Sequence, residues 1–260
     1  MSVELGQVID SLFATSPSAE LGEISNDIST ILDVNQSTIN SSIEKFILAN
    51  GIIVSGDKIA CKWNKHDKST KYIDYIGKKL FNIDYTTRKS IDIEDYDDGD
   101  IEYPTNFEGL VNQLKQYGED HYPSVFAMNI IPKDGLRILI YGQRVNQENF
   151  YSGTWSSNYV LKDGTLRGEI KLDIHYYEEG NVRLNFSEEI SENVSNDKNL
   201  VKIIENIEHK LSLKIIESFN ELNQRTFKNL RRLLPITRSK INWGNAIGNY
   251  RLGSDVINKQ

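Results

Sequence analysis

Apolar residues recur along the chain with two periods, and the change between them divides it into parts. In the first fifty residues the spacing is helical. Leu21, Ile24, Ile28 and Ile31 fall on one face, behind Ser16-Pro17, which offers an N-cap followed by proline at the first helical position. A second helix is predicted from near Ser37, with Ile39, Ile43, Phe46 and Ile47 on one side and Asn50-Gly51 as a left-handed C-cap. Residues 1–51 therefore read as an N-terminal helical bundle. From 52 to 103 the apolar stretches shorten and alternate, giving strands at Ile52-Val54, Lys58-Trp63 and Ser90-Tyr96 between Lys- and Asp-rich turns, a small β region.

Pro104-Thr105 opens a further helix whose Phe107, Leu110, Val111, Leu114 and Tyr117 form a stripe that Pro123 ends. From Ser124 the period becomes that of strands, with turn signals at Pro132-Lys133-Asp134-Gly135, Lys162-Asp163-Gly164 and Glu178-Glu179-Gly180-Asn181. The expected strands, 124–131, 136–143, 151–161, 165–177 and 182–186, make a five-stranded antiparallel meander, so that 104–196 is a helix plus a sheet. Leu200, Ile204, Ile207, Leu211, Ile215, Phe219 and Leu222 then recur every three or four residues. A helix over 197–234 would be about 55 Å long, longer than a small domain is wide, and must lie across a sheet, with length enough to reach a second subunit. Pro235 breaks it. The last part, 235–260, is an amphipathic tail helix carrying Ile241, Trp243, Ile247 and Tyr250, in which Gly244 and Gly248 each cost about 1 kcal/mol, so the tail needs a surface to order it. The fold class is α+β: an N-terminal helical bundle, a small β region, a five-stranded antiparallel meander covered by a long helix, and a C-terminal amphipathic tail helix.

Charge changes this picture more than composition does. With 260 residues, 38% of them hydrophobic and 26% charged, a single cysteine and a mean hydropathy of −0.47, the chain can bury a core without disulfides. No basic segment followed by an apolar one opens it and no stretch is apolar enough to span a membrane, which together with the lone Cys61 gives the expectation of a cytoplasmic protein. The net charge of −7 conceals a basic segment. Residues 222–254 hold Arg225, Lys228, Arg231, Arg232, Arg238, Lys240 and Arg251 and no acid, so subtracting +7 from −7 leaves −14 for the rest. Asp92 to Glu102 packs seven acids into eleven positions and reads as an exposed loop or linker.

Catalytic patterns are missing: there is no P-loop, GxGxxG, GxSxG or HExxH. His66, His121, His175 and His209 are isolated in sequence, and Cys61 sits in an alternating strand as a small buried hydrophobe. Neither an enzyme nor a bound cofactor or metal is expected. Nucleic acid is disfavoured as a partner, because the −14 body repels a polyanion beyond the segment's own footprint. The basic residues gather at one end of the long helix, which suits an acidic protein surface.

Three stretches carry a resemblance: Phe150-Tyr151-Ser152-Gly153-Thr154-Trp155, then His175-Tyr176-Tyr177-Glu178-Glu179-Gly180-Asn181-Val182, then the run from Thr226 through Lys228, Arg231, Arg232, Pro235, Arg238 and Lys240 to Trp243. In order and spacing they resemble the alpha subunit family of F-actin capping protein. The resemblance implies an obligate heterodimer with a similar beta subunit, the two five-stranded sheets joining and the long helices crossing them. It implies calcium-independent binding to filament barbed ends, without cofactor, in cortical actin structures of the cytoplasm. It assigns actin binding to Lys228, Arg231, Arg232, Arg238, Lys240 and Trp243, and binding of anionic phosphoinositides to Lys228, Arg232 and Arg238. A different class of reading is a peripheral membrane module, with Arg231 to Arg251 lying on anionic lipid as a basic amphipathic helix.

Overall fold

The computed structural model describes residues 5–221 apart from 33, 34, 68, 98, 100, 123, 179, 180 and 195–198. Three helices form the N-terminal unit: α1 (Leu5–Ala14), α2 (Leu21–Ile31) and α3 (Gln36–Asn50), with a 3₁₀ turn at Ser18–Glu20. Ile9, Phe13, Leu21, Ile39, Ile43 and Ile47 bury between them. Ser16-Pro17 does not cap α2. The Ser16 hydroxyl instead donates back to the Leu12 carbonyl at 2.6 Å, finishing α1, and Pro17 leads into the 3₁₀ turn. Ile31 leaves the expected stripe, at 78% exposure, because the chain turns extended at Leu32 and that side chain packs against the core in its place. α3 begins as expected, with the Asn35 Oδ1 accepting from the Ser37 amide at 3.1 Å. Its end, Gly51, has the positive φ of 75° but an extended ψ of 157° rather than a left-handed helical one. A Cβ there would lie 2.3 Å from the Tyr141 hydroxyl, so glycine is required twice over.

The small β region holds more strands than the pattern predicts. β1 (Ile52–Val54) pairs with β2 (Lys58–Ala60), and β3 (Tyr72–Asp74), β4 (Lys79–Asp84) and β5 (Lys89–Asp95) make a second antiparallel sheet. β2 stops at Ala60 because buried Asn64 intervenes. Its Oδ1 accepts from the Cys61 amide at 2.9 Å while its Nδ2 donates to the Ile59 and Ile73 carbonyls at 2.7 and 2.8 Å, splicing the two sheets. β3 and β4 escape sequence reading because three to six residues are too few to show a period. The acidic run is not simply a loop: Asp92, Glu94 and Asp95 lie on the exposed edge strand β5, where Lys71 pairs with Glu94 at 2.8 Å and Lys79 with Asp95.

After α4 (Phe107–His121) come β6 (Val125–Ile131), β7 (Leu136–Asn146), β8 (Tyr151–Lys162), β9 (Thr165–Tyr176) and β10 (Val182–Asn193). Every neighbour in the order β10-β9-β8-β7-β6 is antiparallel, which is the expected meander. β10 runs seven residues beyond Phe186, the expected end. Ser187–Asn193 offers only Ile190 as an apolar signal, as suits an outer strand whose residues stay half exposed. Of the turn at 178–181, residues 179 and 180 lie outside the described residues.

α4 and α5 (Leu200–Glu221) cover one face of this sheet, over Ile138, Ile140, Trp155, Tyr159, Ile170 and Leu172. The other face meets β2, β3 and the segment after β3 through Ile59, Cys61, Ile73 and Tyr75, packed on Ala127, Ile131, Leu139 and Tyr141. The 22 residues of α5 are about 33 Å long. The expected continuation over 222–234 and the whole tail, 235–260, lie outside the described residues.

Candidate functional site

Inside the apolar stripe of α5 one position breaks the pattern. Glu208 is buried between Ile204 and Leu211, and its carboxylate is surrounded by hydroxyls. Tyr117 and Tyr122 each donate to Oε2 at 2.6 Å; Ser157 and Tyr159 donate to Oε1 at 2.6 and 3.0 Å. Trp155 donates through Nε1 to the Ser157 hydroxyl at 2.8 Å, completing the chain of donors. Burial, joined by the charge of Glu208, pushes the tyrosine phenols 117, 122 and 159 far above their ordinary values, so all three stay protonated and able to donate. The carboxylate is thus satisfied in a site where an unpaired charge would be costly.

The position of α5 over the sheet follows from two of its residues. Glu208 sits on β8, whereas Lys214 reaches β10, bonding Glu188 at 2.7 Å with its ammonium 5.7 Å from the Phe186 ring. Six residues of helix rise about 9 Å and two strand spacings measure about the same, so α5 crosses the strands steeply. Beyond Lys214 the helix still packs on the sheet, with Ile215 buried in the core and Phe219 half-buried against it, before its described end at Glu221. Among the described residues nothing pairs with the outer edge of β10, a twelve-residue row of backbone donors and acceptors.

On the opposite face a polar clamp fastens the N-terminal unit to β8, β9 and β10. Arg183 binds Asp173 through two bonds of 2.8 Å and donates to the carbonyls of Thr15 and, at 2.9 Å, Ser16. Glu20 accepts from Ser152 at 2.5 Å and meets His175 Nδ1 at 2.7 Å, while Nε2 of that ring contacts Asn181 Oδ1 at 2.9 Å. Between this clamp and α3 lies a cleft of about 510 Å³ bordered by Phe46, Ile53, Arg88, Thr154, Lys171 and Arg183. Its cations are already engaged, Lys171 with Glu169 at 3.1 Å and Arg88 with the Ala19 carbonyl at 3.3 Å.

The residues that the sequence singles out, Lys228, Arg231, Arg232, Arg238, Lys240 and Trp243, all lie outside the described residues. What the structure gives is the helix that precedes them and where it points. Sequence reasoning missed Glu208, although an acid at helical spacing inside an apolar stripe was a usable signal. Among the described residues no group of three or more His, Cys, Asp or Glu side chains is placed to hold a metal ion, and no helix is long and apolar enough to cross a membrane. Cys61 is buried, its thiol pushed up to about 11 by that burial, and Asn64 holds its amide.

Comparison with known proteins agrees with this architecture. The family model for the F-actin capping protein alpha subunit matches residues 9–255. The F-actin-capping protein subunit alpha of Debaryomyces hansenii is 56% identical over the whole chain and 99% of its own length. The protein of that name from Candida albicans is 47% identical with both chains fully covered, and that from Saccharomyces cerevisiae is 35% identical over 98% of each. Among solved structures, the homodimeric actin capping protein alpha subunit of Plasmodium berghei superposes with a TM-score of 0.69 over 91% of this chain and 99% of its own, at 23% identity, a likeness of fold.

Proposed function

This chain belongs to the F-actin capping protein alpha subunit family, and from that premise we propose that it forms a heterodimer with a beta subunit and binds the barbed end of an actin filament, blocking gain and loss of subunits there. The family is a structural, actin-binding one and not enzymatic. The observation that carries the reading is the end-to-end match to alpha subunits of the same length, 56% identical in the first case. Two features of the fold suit it. The edge of β10, unpaired among the described residues, can continue into a second sheet, and α5 crosses this sheet toward that edge.

In the mechanism proposed, Lys228, Arg231, Arg232, Arg238 and Lys240 steer the dimer to acidic surface on the terminal actin protomers, and Trp243 anchors it. Exposed ion pairs contribute only about 0–1 kcal/mol each, so the cations set the on-rate and its salt dependence, while a desolvated tryptophan or arginine can exceed about 2 kcal/mol. Anionic phosphoinositides would compete for Lys228, Arg232 and Arg238 through their phosphates. A site of action in cortical actin structures of the cytoplasm follows from the same reading. The peripheral membrane module receives no support from the relatives.

The test of the cluster is charge reversal. An R232E/R238E heterodimer should assemble normally and bind barbed ends at least about tenfold more slowly at moderate salt, the loss shrinking as salt rises. Unchanged capping by the folded variant would overturn the assignment of these residues.

A further inference from the structure

The cage around Glu208 does more than satisfy a charge, because its donors come from separate elements of the fold. Tyr117 belongs to α4, Tyr122 follows it, and Ser157 and Tyr159 stand two residues apart on the central strand β8. A carboxylate offers about four lone-pair sites, and each is taken by a hydroxyl. Apolar packing holds α5 on the sheet through non-directional contacts, whereas four hydrogen bonds converging on one carboxylate are directional and add a separate constraint on its register. Sliding the helix by one residue shifts the carboxylate about 1.5 Å along the axis and about 100° around it, out of reach of its donors. The donors would then be left buried without the acceptor they share, which costs stability.

We propose that Glu208 is a positioning residue for filament-end binding: its hydroxyl cage pins the crossing point and rotation of α5 on the sheet and so sets the position and direction of that helix up to Glu221, four residues ahead of Arg225 in the sequence. The inference rests on the capping reading above. The pin lies near the middle of α5, thirteen residues before its described end at Glu221, so a rotation of the helix at the cage displaces that end. Lys214, bonded to Glu188 on the edge strand, is a second contact but an exposed one, and cannot supply the same constraint.

The experiment uses the full chain copurified with its beta subunit. Spin labels on E217C in α5 and K162C at the end of β8, both exposed positions, report the helix-to-sheet distance, while buried Cys61 stays unlabelled. Wild-type, E208Q and E208L dimers are compared for that distance and for the concentration that half-arrests barbed-end growth. Glutamine keeps the shape and lets the tyrosine hydroxyls turn to meet an amide; leucine leaves the hydroxyls stranded. Expected are one narrow distance for wild type and E208Q, with capping within about threefold, and for E208L a broadened distance and at least about a tenfold rise in that concentration. Should E208L fail to assemble, Y122F, which deletes a single hydroxyl and keeps the ring, must broaden the distance and weaken capping in a smaller step. A folded E208L or Y122F dimer with a lowered melting temperature but unchanged distance and capping would reduce Glu208 to a structural residue and overturn the proposal. Failure of the wild-type dimer to cap would instead remove the premise, leaving the distance measurement to decide whether Glu208 pins the helix.

Discussion

Arg183 on β10 grips Asp173 on β9 through a two-bond fork, Nε to Oδ1 and Nη2 to Oδ2, each at 2.8 Å. The same guanidinium donates to the Thr15 and Ser16 carbonyls at the end of α1, so one side chain ties the N-terminal helices to the outer edge of the sheet. Asp173 also accepts from the Ser18 amide at 3.2 Å, which makes the junction a network with few independent parts.

An R183A substitution should therefore cost about 2 kcal/mol, since it leaves a half-buried carboxylate and two carbonyls without their donors. R183K should recover little of it, because an ammonium cannot reproduce the fork. Denaturant unfolding of the heterodimer checks both, and equal stability of R183K and wild type would show that charge alone suffices.

Tyr122 reaches Glu208 only because Gly142 on β7 leaves room for its ring. A Cβ at Gly142 would lie 2.2 Å from the Tyr122 ring, and one at Gly118 in α4 would lie 2.0 Å from Phe126, which stacks on Tyr122 at 5.4 Å. G142A should lower stability by about 1–3 kcal/mol through overpacking and disturb the hydroxyl cage, red-shifting the emission of Trp155, which donates to Ser157 within it. A neutral G142A would mean that the ring can move without loss.

The N-terminal helices carry an acid-sensitive contact. Asp10 on α1 accepts from Lys45 and Ser42 on α3, each at 2.6 Å, and these bonds, the one from Lys45 first, hold its carboxyl below the ordinary aspartate value of 3.8. The depressed value means that Asp10 stabilises the fold fully above pH 3.8 and that the contribution is lost as pH falls through the folded value. The stability difference between wild type and D10N should be constant above about pH 5 and shrink below pH 4. A difference independent of pH down to pH 2 would contradict this linkage.

The large periodic features were legible in the sequence, and the exceptions have physical reasons. Leu200, Ile204, Ile207, Leu211 and Ile215 mark α5 because a helix facing a flat sheet must repeat its apolar side every three or four residues, and the meander shows through turns such as Lys162-Asp163-Gly164. The end of β10 was hidden because an edge strand needs no apolar alternation, and Glu188, Glu189 and Glu192 read as loop. Asn64 was unreadable, since its value lies in joining two sheets through carbonyls five residues before it and nine after it. Glu208 showed only as an acid inside the apolar stripe of α5; its partners are 49 to 91 residues away, so no local pattern announces the cage assembled from a helix, its exit and a strand. The basic cluster, by contrast, was plain from charge alone, and its placement lies outside the described residues.

The central claim, that this chain with its beta subunit blocks filament barbed ends, is tested most directly by elongation from actin filament seeds. Growth at barbed ends is followed while the copurified heterodimer is titrated, with pointed-end growth as the internal control. Arrest of barbed-end growth at nanomolar, substoichiometric concentration, with pointed ends unaffected, is the result this account predicts. Undiminished barbed-end growth in the presence of a folded heterodimer would contradict it.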